Sequence, residues 1–266
     1  MVCNVPAIDK TLLSDKPIPV RERLIFALDV QTKGEAKKLV EKLGDSVQFY
    51  KLGLELFMAD GYFDTINRLK SCGKNVFVDL KFFDVPNTVA SAVRQLQSYK
   101  PTFATVHGND EILKAACQEK GDTKILAVTV LTSLDQSDIR ALGFNRDMGF
   151  EDVKIEELVY SRAKRALELG CDGVISSGME VRRLRQGLGK GFTVVVPGIR
   201  PIKNNTTDDQ KRTVDIEKAF ENGADYIVVG RPIKNDSDPQ KAAEDIQARI
   251  AKIPFPATPQ ALTNPS

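Results

Sequence analysis

The chain has 266 residues, 42% of them hydrophobic, which is enough to bury one large core and falls in the size range of a single barrel domain. Its 38 Lys and Arg nearly balance 36 Asp and Glu, so no broad field exists to grip nucleic acid or an anionic membrane surface, and any anion has to be bound locally. Four scattered cysteines without a Cys-x-x-Cys pair argue against a zinc site or a disulfide framework, and the single histidine, His107, removes histidine triads and multi-histidine metal centres. Acid-base chemistry therefore falls to Lys and Asp. No apolar run of signal-peptide or membrane-spanning length occurs, so a soluble, cytoplasmic protein is expected.

In chain order, residues 1–19 read as an N-terminal extension. Runs rich in Val, Ile, Phe and Thr then recur at 24–29, 47–51, 76–81, 103–107, 125–131, 173–176, 192–197 and 226–230. Between them lie segments with apolar residues at helical spacing, such as Leu158, Ala163, Ala166 and Leu167. Eight near-continuous apolar strands, each followed by a helix, predict a parallel sheet, and on this length an α/β fold closed as a (β/α)8 TIM barrel, one domain over 20–253. An open doubly wound sheet is the alternative. No Gly-x-Gly-x-x-Gly follows the first strand and no P-loop motif occurs, which removes the main support for a dinucleotide or P-loop site. Gly44, Gly73 and Gly170 are placed to end helices and Asp238-Pro239 to start the last one, after which residues 254–266 read as a tail. Residues 203–212 lack apolar side chains, and their position in the seventh unit marks a surface loop suited to act as a lid.

Barrels place reactive groups where strands end and loops begin. Asp29 ends the first strand and Lys51 the second; Asp79 and Lys81 stand two apart near the end of the third, on one face by strand alternation, and Asp84 follows in the loop. Alternating Asp and Lys at one mouth neutralise one another and keep the lysines protonated. A protonated lysine between carboxylates can stabilise a carbanion and then deliver a proton to it, with no metal or cofactor as electron sink, and loss of carbon dioxide is one such reaction. A lone Asp-x-Lys would more simply be a structural ion pair; the longer array favours chemistry. Pro197-Gly198-Ile199-Arg200-Pro201 and Gly230-Arg231-Pro232 combine approachable backbone with a guanidinium at the seventh and eighth strand ends, where barrels bind phosphate. Thr132 and Ser133, past the fifth strand, offer hydroxyls to a heterocycle, although such residues are more often turn formers. His107 faces the mouth in this arrangement and reads as a structural residue.

At these residues the chain resembles the bacterial type of the orotidine 5′-monophosphate decarboxylase family, chiefly through Asp79-Leu80-Lys81-Phe82-Phe83-Asp84-Val85-Pro86-Asn87-Thr88. Shorter matches follow in family order: Ala27-Leu28-Asp29, Lys51-Leu52-Gly53, the run 128–133, the Gly198 and Gly230 turns, and Asp209-Gln210-Lys211-Arg212. The resemblance implies conversion of orotidine 5′-monophosphate to uridine 5′-monophosphate in de novo pyrimidine biosynthesis, without a cofactor, by a homodimer with shared active sites. It implies Lys81 as proton donor, Asp79 beside the scissile carboxylate, and Lys51 and Asp29 on the ribose hydroxyls. It further implies that Asp84 and Thr88 reach into the neighbouring subunit's site, that Thr132 and Ser133 contact the pyrimidine, and that Pro197, Arg200, Gln210, Gly230 and Arg231 surround the phosphate. Phe83 and Val85 depart from the histidine and isoleucine common in the family, and neither change removes a charged group. The runner-up is a sugar-phosphate decarboxylase or aldolase that shares the Asp-x-Lys-x-x-Asp core but works through a metal-bound enediolate. A catalytically silent phosphate-ligand sensor is disfavoured by the complete charge set.

Overall fold

Eight parallel strands pair in sequence order and the last closes on the first: β1 (Leu24–Ala27), β2 (Phe49–Gly53), β3 (Asn75–Phe82), β4 (Phe103–Val106), β5 (Lys124–Val128), β6 (Gly173–Ile175), β7 (Thr193–Val196) and β8 (Tyr226–Val229). Closure is direct, with Ile25 of β1 opposite Val228 of β8. This computed structural model describes residues 11–143, 154–200 and 212–256. Gln210 and nearly all of the expected lid, residues 203–212, lie outside the described residues.

Helices fill the connections and take their starts from short polar side chains, which accept the otherwise unpaired first-turn amides. Thr32, Asn109, Asp215 and Asp238 each accept from the amide three residues on. Gly44 caps Lys33–Leu43 at φ +49, and Gly170 follows Ile155–Glu168 at φ +94, backbone that a side chain would strain. Among the described residues no helix is long and apolar enough to cross a membrane.

Strand alternation divides the core in two. Leu24, Phe26, Tyr50, Leu52, Val76 and Val78 face the helices, while Ile25, Phe49, Phe77, Phe103, Leu126, Val195 and Tyr226 pack against one another as a second cluster inside the barrel. The inner aromatics interlock, with ring centroids 5.2 Å apart for Phe49–Phe103 and for Phe103–Tyr226, and 5.9 Å apart for Phe77–Phe103. Two residues further along three of these strands come Lys51, Asp79 and Thr105. The lumen is therefore an apolar plug capped by polar groups at the end where the strands finish.

At the opposite end, the segment before β1 docks onto the barrel. Leu13 and Ser14 are buried, and Ile18 joins the inner cluster. The fully buried Asp225 carboxylate gathers Ser14, Lys16 at 3.1 Å, Arg185 at 2.8 Å and the Val194 amide at 2.8 Å. A buried carboxylate without such partners would be costly; here the partners tie residues 11–19 to the starts of β7 and β8.

Candidate active site

The charged layer above the aromatic plug is a connected network. Lys51 Nζ lies 3.1 Å from Asp29 Oδ1 and 3.4 Å from Asp79 Oδ2, and Lys81 Nζ lies 2.9 Å from Asp79 Oδ1. Lys51 and Asp79 expose only 12% and 13% of their side chains, against 34% for Lys81, so of these two lysines Lys81 is the more open to the cavity. Burial opposes the charge on Lys51, but Asp79 and Asp29 outweigh it and hold the ammonium above its ordinary value. Burial likewise opposes the charge on Asp79, and Lys51, Lys81 and the Thr105 hydroxyl outweigh that too, keeping the carboxyl below its ordinary value. Both groups are thus charged across the neutral range. Gly53 leaves room for this arrangement: a Cβ there would stand 3.1 Å from both Asp29 Oδ1 and Lys51 Nζ.

Asp79 and Lys81 do share the mouth, though not for the reason that regular alternation supplies. The β3–β4 register shifts between Val78 and Phe82, and Lys81 sits at φ +50, a left-handed conformation that costs a non-glycine residue about 1–3 kcal/mol. Thr105, fully buried on β4, holds it there. Its hydroxyl accepts from Lys81 N and donates to Asp79 Oδ1, each at 2.9 Å. Thr105 was not marked by the sequence reading, although its place two residues after the lumen-facing Phe103 was available.

The network forms one wall of a cavity of about 290 Å³. Thr132 and Ser133 line another side, four and five residues beyond the end of β5, which stops at Val128 rather than at the expected 131. Pro197, Gly198 and Arg200 after β7, with Gly230 and Arg231 after β8, line a third. Gly230 begins the short helix Arg231–Lys234, and Gly198 takes φ +74. Lys234 also lines this cavity and donates to the Asp29 carbonyl oxygen at 2.6 Å, a cation that the sequence reading passed over. Arg212, at the near edge of the undescribed 201–211 segment, is buried and donates to Glu180 at 2.6 Å and to the carbonyls of Val130 and Leu131 at 3.1 Å.

Asp84 and Thr88 do not line this chain's cavity. Both are exposed, and the Asp84 carboxylate accepts from the Val85 amide at 2.6 Å. They stand beside an exposed apolar surface that includes Phe83 and Val85. His107 follows β4, with its ring 5.4 Å from that of Phe83. Burial, with the charges of Arg162 and Lys81, holds its imidazole below the ordinary value and favours the neutral form.

A parallel barrel with a lysine–aspartate array at its C-terminal mouth is a frame for acid-base chemistry on a small anion. Residues 22–246 match the model of the family described as Orotidine 5'-phosphate decarboxylase / HUMPS family. An orotidine 5'-phosphate decarboxylase of Methylococcus capsulatus is 58% identical over 241 residues, covering 91% of this chain and 97% of that protein. One from Stenotrophomonas maltophilia is 46% identical, covering 90% and 98%. Among solved structures, the orotidine 5'-phosphate decarboxylase of Lactobacillus acidophilus superposes with a TM-score of 0.73 at 36% identity, covering 86% of this chain and 99% of that one. Fold, site and relatives together define a carboxy-lyase on a (β/α)8 barrel. The chain belongs to the orotidine 5'-phosphate decarboxylase / HUMPS family.

Proposed function

We propose that the chain converts orotidine 5′-monophosphate to uridine 5′-monophosphate without a cofactor, with Lys81 as the proton donor. The observation that carries this reading is the Lys51–Asp79–Lys81 chain of contacts at the cavity wall. Heterolysis of the bond between the pyrimidine ring and its carboxylate releases carbon dioxide and leaves the electron pair on the ring carbon. The Lys81 ammonium stabilises that pair as it forms and then protonates the same carbon. Asp79 keeps the ammonium aimed and lies beside the departing carboxylate.

The remaining lining divides by chemistry. Asp29 and Lys51 suit ribose hydroxyls, Thr132 and Ser133 suit the polar edge of the pyrimidine, and Arg200, Arg231 and the backbone at Pro197 and Gly230 suit the phosphate. In this reading Gln210, which lies outside the described residues, also holds the phosphate, whose binding energy drives assembly of the dry site. Asp84 and Thr88 serve the partner's site across a homodimer interface. The exposure of Phe83 and Val85 beside them supports that assignment, as does the exposure of Leu54, Phe57 and Met58 after β2. A cytoplasmic location completes the reading.

The test is loss of the orotate absorbance when purified protein meets the nucleotide in the presence of a metal chelator. Turnover that requires added magnesium would favour the enediolate chemistry of a sugar-phosphate enzyme. Lys81→Ala should abolish turnover with the fold intact, and near-normal activity in that variant would refute the donor. Mixing inactive Lys81→Ala with inactive Asp84→Ala tests the shared site. Subunit exchange should restore about a quarter of wild-type activity, because each heterodimer then carries one complete site.

A further inference from the structure

Two cysteines far apart in sequence meet on the side of the barrel away from the cavity. Cys117 lies near the end of the helix Asp110–Gln118, and Cys171 lies between the helix Ile155–Glu168 and β6. Their sulfurs are 3.5 Å apart, both thiols are free, and neither lines the active-site cavity. Cys171 is buried while Cys117 is partly exposed, so Cys117 is the more accessible residue of the two. The surroundings hold the pair in register: Lys120 donates to the Gly170 carbonyl at 3.1 Å and to both Asp172 oxygens at 2.9 Å, and the Cys171 amide donates to the Ala166 carbonyl at 3.1 Å.

From this geometry we infer that Cys117 and Cys171 form a reversible redox pair, in which Cys117 is attacked by hydrogen peroxide and Cys171 resolves the product as an intramolecular disulfide. The Cys117 thiolate attacks one peroxide oxygen, the O–O bond breaks, and hydroxide leaves, giving a sulfenic acid. The Cys171 sulfur then attacks the Cys117 sulfur, the S–O bond breaks, and water departs with the Cys171 proton. The two thiols lose two electrons in total and one peroxide yields two waters. The hydrogen bond with Cys171 and the nearby Lys120 charge pull the Cys117 thiol below its ordinary value, against its burial, which fits it for the first step. The hydrogen bond to Cys117 and burial push the Cys171 thiol up, so it is not the thiol that peroxide meets first; its place 3.5 Å from the Cys117 sulfur is what suits it to the second step. The bond would staple the helix 110–118 to the turn before β6 and would protect Cys117 from irreversible oxidation to the sulfinic acid.

The experiment exposes the folded, full-length protein to equimolar hydrogen peroxide, blocks the remaining thiols with iodoacetamide under denaturing conditions, and maps the peptides by mass. The expected product is a single cross-linked peptide pair joining Cys117 to Cys171, two hydrogens lighter than its parts and reopened by a thiol reductant. In Cys171→Ser the Cys117 sulfenic acid should persist, be trapped by dimedone and proceed to sulfinic acid with excess peroxide, whereas the unaltered protein should resist that step. Sulfinic acid at Cys117 in the unaltered protein, with no cross-link, would overturn the pair. So would a disulfide through the exposed Cys72 in place of the 117–171 bond.

Discussion

Lys51 reaches forward from its own strand position to meet Asp79. On the ladder Lys51 is level with Phe77, and Asp79 is level with Gly53, yet Nζ and Oδ2 are 3.4 Å apart. The side chain climbs over the glycine and plants its charge between Asp29 and Asp79, so each carboxylate is answered by the same ammonium.

That sharing makes the two residues energetically coupled. Lys51→Ala leaves Asp79 partly desolvated with one cation fewer, a loss of about 3–5 kcal/mol for a broken buried pair. Asp79→Asn removes the carboxylate that needs the lysine. The double variant should therefore be less destabilised than the sum of the single ones, by about 0.5–3 kcal/mol. Urea unfolding of the four proteins measures this directly; strict additivity would mean that the contact carries no energy.

The same pair fixes how stability depends on pH. Asp79 is held below the ordinary aspartate value of 3.8 in the folded chain, so its contribution is present above 3.8 and is lost as pH falls through the lower folded value. Lys51 is held above 10.5, so its contribution is present below 10.5 and is lost as pH rises through the higher folded value. Between these limits neither group should tilt the profile. Unfolding free energies taken from pH 2 to pH 8 should show an acid limb that is shallower in Asp79→Asn than in the unaltered protein.

Thr105 offers a separate handle on the left-handed Lys81. In Thr105→Val the shape is kept, but the Lys81 amide and Asp79 Oδ1 each lose a partner, costing about 1–3 kcal/mol. If the hydroxyl mainly aims Lys81, kcat should fall about tenfold or more while KM moves little, and Thr105→Ser should recover most of the loss. Steady-state kinetics of the three proteins decide it, and a change confined to KM would count against an aiming role.

Much of the barrel was legible because its strands are buried on both faces and stand out as apolar runs, as at 103–107 and 226–230. The charged mouth was legible for a related reason: Asp29, Lys51 and Asp79 stand at or near the ends of apolar runs, where a charge breaks the pattern. What stayed hidden depended on three-dimensional register. Alternation predicted that Lys81 would share a face with Asp79, and the residues do meet, but through a register shift and a positive φ that no local pattern announces. Thr105 looked like one more β-branched strand residue. Arg212 looked like part of a polar loop, because its partners lie 32 and more than 80 residues away.

Arg212 carries the last prediction. Its guanidinium answers the Glu180 carboxylate and two carbonyls, at Val130 and Leu131, immediately before Thr132 and Ser133. On its C-terminal side Val214 bridges Ile199 and accepts from the Arg200 amide at 3.0 Å. One short segment thus joins the loop that presents the hydroxyls to the loop that presents Arg200. Arg212→Lys keeps a cation for Glu180 but cannot span three oxygens with the same planar fork. Losing about 1–1.5 kcal/mol of hydrogen bonding to the carbonyls should raise KM for the nucleotide about tenfold, with a small change in thermal midpoint. Arg212→Ala would instead strand a buried carboxylate whose burial already lifts it above its ordinary value, despite the arginine beside it. That variant should lose stability outright, by about 3–5 kcal/mol. Kinetics and thermal unfolding of both variants separate the two effects, and an unchanged KM in the lysine variant would show that the loop keeps its place without the fork.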